Sequence, residues 1–177
     1  LKTLKIEKHL KRGVSIDSVA FSRAASRGDT DKMERLWNQS TDRKNLVKDI
    51  TQKGIENALH IAAKYNKVDA IKFFQEKCPE IFKEKGQDGF SVAHVAALRG
   101  NVESLKEILD FRKEFLESTT ENGYAPIHLA ANYEHIDVME LLIGRGAEID
   151  KARSTNRYSP TLGRNKLKTP IECAAYG

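Results

Sequence analysis

Five histidines and two cysteines are the residues of this chain whose chemistry suits metal binding or nucleophilic attack. A metal site needs such ligands to converge, within one short loop or one helical turn, and a nucleophile needs a base beside it. Neither pattern is present. His60, His94 and His128 recur at a constant step of 34 residues, which spreads them along the chain. His9 lies in a lysine-dotted leader and His135 stands ahead of an apolar helical stretch, each without a Cys, His or carboxylate at ligand spacing. Cys78 and Cys173 fit no metal or redox motif, and their sparseness favours a reducing compartment. Gly144-Arg145-Gly146 lacks the further glycine and the preceding strand of a phosphate loop. No catalytic residue, metal ligand, cofactor or small-molecule substrate is expected.

The regular spacing of those histidines belongs to a repeat. Alanine pairs occur at 24–25, 62–63, 96–97, 130–131 and 174–175, in the segments AFSRAASRGD, ALHIAAKYNK, VAHVAALRGN, PIHLAANYEH and PIECAAYG. The histidine stands two places before the pair, as His60, His94 and His128, with Ser22 and Glu172 in that column at either end. An acid follows the pair as Asp31, Asp69, Glu103 and Asp137, and an apolar residue follows the acid as Met33, Ile71, Leu105 and Met139. Small residues let neighbouring helices approach closely, and a bulky side chain there would overpack the contact. Gly28, Asn66 and Gly100 suit a left-handed residue ending the first helix; Glu134, in the same column, implies a turn of another shape or a strained one. The recurrent acid belongs in the first turn of a second helix, where the helix dipole favours negative charge. Val68, Ile71 and Phe74, then Val102, Leu105 and Leu109, then Ile136, Met139 and Leu142 predict the buried face of each second helix. Asp88-Gly89 and Asn122-Gly123 predict tight turns between units.

This pattern resembles the ankyrin repeat, with its T-P-L-H-x-A signature and a period near 33 residues. The signature's threonine column holds Asn57, Ser91, Ala125 and Thr169, and its proline survives as Pro126 and Pro170. The resemblance covers residues 17–177 and implies an all-α solenoid of stacked helix–turn–helix units with hairpin-like turn tips. It divides the chain into a capping helix or leader (1–16), repeats at 17–49, 50–84, 85–118 and 119–150, a basic insertion at 151–168 and a truncated fifth repeat at 169–177. It also implies that the repeat histidines tie the turn of their own repeat to the next, a structural role.

Composition fits such a body: charged residues make up 31% of the chain and apolar residues 40%, while aromatics at 7% leave no large aromatic core. The net charge of +5 is unevenly placed. Lys2, Lys5, Lys8, Lys11 and Arg12 against Glu7 give the leader +4, and the insertion holds six Lys or Arg and no acid. About −5 remains for everything else, an acidic body between two basic appendages. Nucleic-acid binding calls for a contiguous basic surface, so neither nucleic acid nor membrane is the expected partner. No apolar run approaches the ~20 residues that cross a bilayer. A chain that opens on Leu1 and stops within a repeat reads as a piece of a longer protein.

The resemblance places partner contacts on a concave surface made of turn tips and the exposed ends of the first helices. The tips are Gln87, Phe90, Glu121 and Tyr124; the helix ends give the row Arg27, Tyr65, Arg99 and Tyr133, residue types enriched at binding hot spots. Arg153, Arg157 and Tyr158 of the insertion form a second candidate, one that steers a partner with an acidic patch, the alternative being a disordered loop. The expected function is a cytoplasmic scaffold or adaptor that binds a protein. A regulatory domain of a larger enzyme or channel, an effector delivered into a host cell, and binding of anionic lipid or nucleic acid are the competing readings.

Overall fold

The structure, a computed structural model, describes residues 16–47 and 57–149. The leader (apart from Ile16), the basic insertion with Arg153, Arg157 and Tyr158, and the truncated fifth repeat lie outside the described residues. The chain divides into two compact bodies, residues 1–87 and 88–177. Among the described residues every regular element is helical.

The first body holds α1 (Ile16–Arg27), α2 (Thr30–Gln39), α3 (Arg43–Val47), α4 (Ala58–Lys64) and α5 (Val68–Lys77). The second holds α6 (Val92–Leu98), α7 (Val102–Phe111), α8 (Pro126–Asn132) and α9 (Ile136–Gly144). Short 3-10 turns at Pro79–Lys83 and Lys113–Glu117 follow α5 and α7. Within each body the first helices pack side by side, α1 on α4 and α6 on α8, and each second helix packs on its own first helix.

One turn geometry joins first helix to second in all four repeats. Gly28, Asn66, Gly100 and Glu134 each adopt positive φ (74°, 54°, 70° and 56°). Their N–H groups donate to the carbonyls of Ala25, Ala63, Ala97 and Ala131, and the next residues' N–H groups donate to Ala24, Ala62, Ala96 and Ala130. This is the Schellman arrangement, which satisfies two carbonyls that a helix end leaves unpaired. The alanine pair therefore has two roles: its buried methyl groups permit the helix contact, and its carbonyls close the helix. Glu134 resolves the choice between another shape and strain, because the turn keeps its shape and a side chain bears the left-handed backbone.

Second helices start where the acids predict, with Asp31, Asp69, Glu103 and Asp137 all in first turns. Their buried faces include Ile71, Phe74, Leu105, Leu109 and Leu142 as expected, but not the first residue of each expected stripe. Val68 and Val102 are only half-buried and Ile136 is 65% exposed, whereas Ala70, Phe73, Ile108 and Val138 are buried. Each step along a helix turns the side chain by about 100°, so a stripe that begins at the third residue leaves the first on the solvent side. Met139 is half-buried, in contrast to Leu105 and Ile71 at the same register.

The first body also concentrates aromatic rings beyond what the composition suggests. Phe21 lies 6.3 Å from Trp37, 6.0 Å from Phe73 and 5.9 Å from Phe74, and Trp37 meets Phe73 edge-on at 5.9 Å. All four rings are buried, and the Arg43 guanidinium covers Trp37 at 5.2 Å. A chain-wide percentage carries no information about where rings cluster, so the expected lack of an aromatic core fails in this body. At the tips, Asp88 and Gly89 both have positive φ, as a type I′ turn requires, whereas only the glycine of Asn122-Gly123 does. Glu121 N–H donates to the Asp88 carbonyl at 2.8 Å, linking successive tips of the second body.

Glu134→Gly relieves the left-handed side chain and should raise stability by about 1 kcal/mol. An unchanged or lowered urea midpoint would show that the turn is not strained.

Candidate functional site

The ends of the first helices are held from behind by the alanine turns and open on the other side. In the first body Arg27 ends α1 exposed, and Tyr65 caps α4 with 55% of its surface open. In the second body Arg99 caps α6 exposed, and Tyr133 caps α8 at 54%. Tyr133 stacks on His135 with ring centres 6.4 Å apart and planes 15° from parallel. A tyrosine already braced on a neighbour loses less freedom when a partner covers it.

The tip aromatics are more engaged. Phe90 is half-buried with its ring 5.8 Å from that of His94, and Tyr124 is half-buried with its ring 6.4 Å from that of His128. They shield the histidines beneath them and expose only part of their rings.

The three repeat histidines are buried, and each is fixed by hydrogen bonds. His94 Nδ1 accepts from Ser91 N–H at 3.2 Å, while Nε2 donates at 2.8 Å to the carbonyl of Tyr124 in the next tip. That bond ties one repeat to its successor and places the proton on Nε2. His128 Nδ1 likewise accepts from Ala125 N–H at 3.2 Å. His60 differs. Asn57 Oδ1 accepts from the His60 backbone N–H at 3.1 Å, and Asn57 Nδ2 donates to Glu84 at 3.0 Å, which fixes the amide's orientation. Oδ1 then faces His60 Nδ1 at 2.8 Å, so Nδ1 must donate. The residue three places earlier, Asn57 rather than Ser91 or Ala125, selects the opposite tautomer. Ser22, which fills this column in the first repeat, keeps a buried hydroxyl with no partner among the described residues.

Two groups gain roles that spacing alone did not reveal. His135 Nε2 donates to the Leu98 carbonyl at the end of α6, at 3.0 Å, and so joins the third repeat to the fourth. A Cβ at Gly100 would stand 2.8 Å from His135 Nδ1, so glycine there answers both the left-handed backbone and the imidazole. Arg23, one turn before Arg27, is exposed on the same helix face; its signal was a charge at the register where Ile61, Val95 and Leu129 are apolar.

Cys78 is buried beside Glu80, 3.3 Å from its carboxylate. Burial first, and then the Glu80 contact, push the thiol up to about 12. A thiol held protonated at neutral pH is a poor nucleophile. No group of His, Cys, Asp or Glu among the described residues could hold a metal ion, and no described helix is long and apolar enough to cross a membrane.

A family model for ankyrin repeats, built of three copies, matches residues 21–110 and 59–153. The chain belongs to the ankyrin-repeat family. No curated protein matches it. Ankyrin repeats are generally protein-protein interaction modules and typically non-catalytic, in keeping with repeat histidines that serve as struts.

Replacing His94 with Ala removes a buried bond between repeats and should cost about 2 kcal/mol or more in urea unfolding, whereas His135→Ala, half-buried, should cost less. The opposite ranking would show that the His135–Leu98 bond carries the joint. Alkylation of Cys78 at pH 8, followed by mass mapping, should run at least about tenfold slower in the native chain than in urea; equal rates would mean an accessible thiolate.

Proposed function

We propose that this ankyrin chain is an adaptor that binds a protein partner through the exposed ends of its first helices. The observation that carries the reading is the paired exposure of a large residue at one register in every described repeat: Arg27 and Tyr65 in the first body, Arg99 and Tyr133 in the second. Tyr and Arg are the residue types enriched at binding hot spots, and here they alternate at the solvent-facing ends of successive first helices. Phe90 and Tyr124 contribute as supports, since their rings already cover the histidines. Arg153, Arg157 and Tyr158 of the insertion are a second proposed contact, whose cations would favour an acidic patch on the partner. The buried free thiol of Cys78 supports a reducing, cytosolic setting.

Affinity capture from cytosolic extract should recover a specific protein with the wild type and lose it with Tyr65→Ala/Arg99→Ala/Tyr133→Ala, while circular dichroism stays helical. Loss only on deleting residues 152–166 would move recognition to the insertion. Retention by both variants would refute this surface.

A further inference from the structure

The described parts of the two bodies differ in charge. Residues 16–47 and 57–87 carry twelve Lys or Arg against nine Asp or Glu, a net of +3; residues 88–149 carry five against eleven, a net of −6. An average over the whole body hides this reversal. Within the first body, four of the cations lie at or next to the ends of the two first helices, α1 and α4, that pack side by side. Arg23 and Arg27 stand four residues apart on one face of α1, both exposed, and make no ion pair among the described residues. Like charges at that spacing repel each other, so their own helix gains nothing from the pair. Tyr65 lies at the register of Arg27 on α4, the helix packed beside α1. Lys64 precedes it, and the stem of Lys67 passes 3.3 Å from where a Cβ on Gly28 would stand, beside Arg27. The nearest acid in sequence, Asp29, is committed to capping α2, where it accepts from Lys32 N–H at 3.0 Å.

From this juxtaposition we infer that the first body binds an acidic peptide segment, with carboxylates on Arg23 and Arg27 and an apolar side chain on the ring of Tyr65; the inference rests on the adaptor reading above. Two guanidinium forks one helical turn apart suit successive carboxylates, each able to accept two parallel hydrogen bonds. The open tyrosine supplies apolar area at small entropic loss. A short segment fits better than a nucleic acid. Nucleic-acid recognition calls for a row of stacking rings, and one exposed tyrosine is no stacking platform.

Fluorescence anisotropy on the full chain tests this with a short labelled peptide of alternating Glu and Leu, its Lys and Leu counterpart, and a single-stranded RNA of similar length. The acidic peptide should bind, more weakly as salt rises. Arg23→Glu/Arg27→Glu should lower its affinity at least about tenfold, and Tyr65→Ala should lower it too. Arg23→Lys/Arg27→Lys keeps the charge without the forks and should fall between the wild type and the reversal, which guards against a simple folding defect. Lys32→Glu/Lys44→Glu makes the same charge change at other exposed positions of the first body and should have little effect. Equal weakening by both reversals, preference for the Lys peptide, or tighter RNA binding through Arg23 and Arg27 would each overturn the inference. If the acidic peptide fails to bind while captured protein is still lost in the Tyr65/Arg99/Tyr133 variant, the adaptor reading survives and this assignment falls.

Discussion

The architecture depends on how a first helix ends. In four repeats the last carbonyls belong to an alanine pair, and a left-handed residue turns the chain so that its own N–H and the next one bond back to them. With those carbonyls satisfied, the helix end can be buried, and with methyl side chains it can lie close to its neighbour. The same turn sets the start of the second helix and leaves the residue just before the left-handed position pointing to solvent. Arg27, Tyr65, Arg99 and Tyr133 owe their exposure to that position. Scaffold and candidate surface thus follow from one backbone motif.

The imidazoles are used less uniformly than the turn. His94 reaches forward to the Tyr124 carbonyl, His135 reaches back to the Leu98 carbonyl, and His60 turns its Nδ1 proton to Asn57. These bonds use three imidazoles in three ways because each depends on what its neighbour offers, a hydroxyl and an amide N–H, a free carbonyl or a side-chain amide. The first repeat has no imidazole in this column; its body is held by the rings of Phe21, Trp37, Phe73 and Phe74. Buried aromatic area there replaces directional bonding, and the hydroxyl of Ser22, unpartnered among the described residues, marks the substitution. Ion pairs add to both bodies, Lys77 with Glu34 at 3.2 Å and Arg145 with Asp110 at 2.6 Å, each joining second helices of successive repeats. The Lys77 pKa is raised by its hydrogen bonds to Glu76 and Glu34.

Surface chemistry varies where the scaffold does not. Positions just beyond the alanine pair hold Ser, Lys, Leu or Asn and then Arg or Tyr while the turn keeps its shape, and a repeat array can therefore change its partner without changing its fold. The described part of the first body sets Arg27 and Tyr65 in a net positive background, whereas that of the second sets Arg99 and Tyr133 in an acidic one. Membership of the family fixes the general kind of work, and the particular residues on these helix ends set the chemistry of what they would hold.

The sequence by itself determined the repeat, its register, the helical fold, the left-handed column and the large residues left exposed at the first-helix ends. Each follows from local rules, namely residue size, backbone preference and period, that act within one unit and are repeated often enough to be read. Only the tertiary structure decided that Glu134 bears a left-handed backbone, that the buried stripe of the second helices starts at Ala70, Ser104 and Val138, and that four rings share one core. It also set the tautomers of His60 and His94 and paired His135 with Leu98. These features depend on which groups from distant parts of the chain meet, with what atoms facing and at what angle. Spacing along one strand of sequence carries the period of a helix, but not the identity of the atom waiting across the gap.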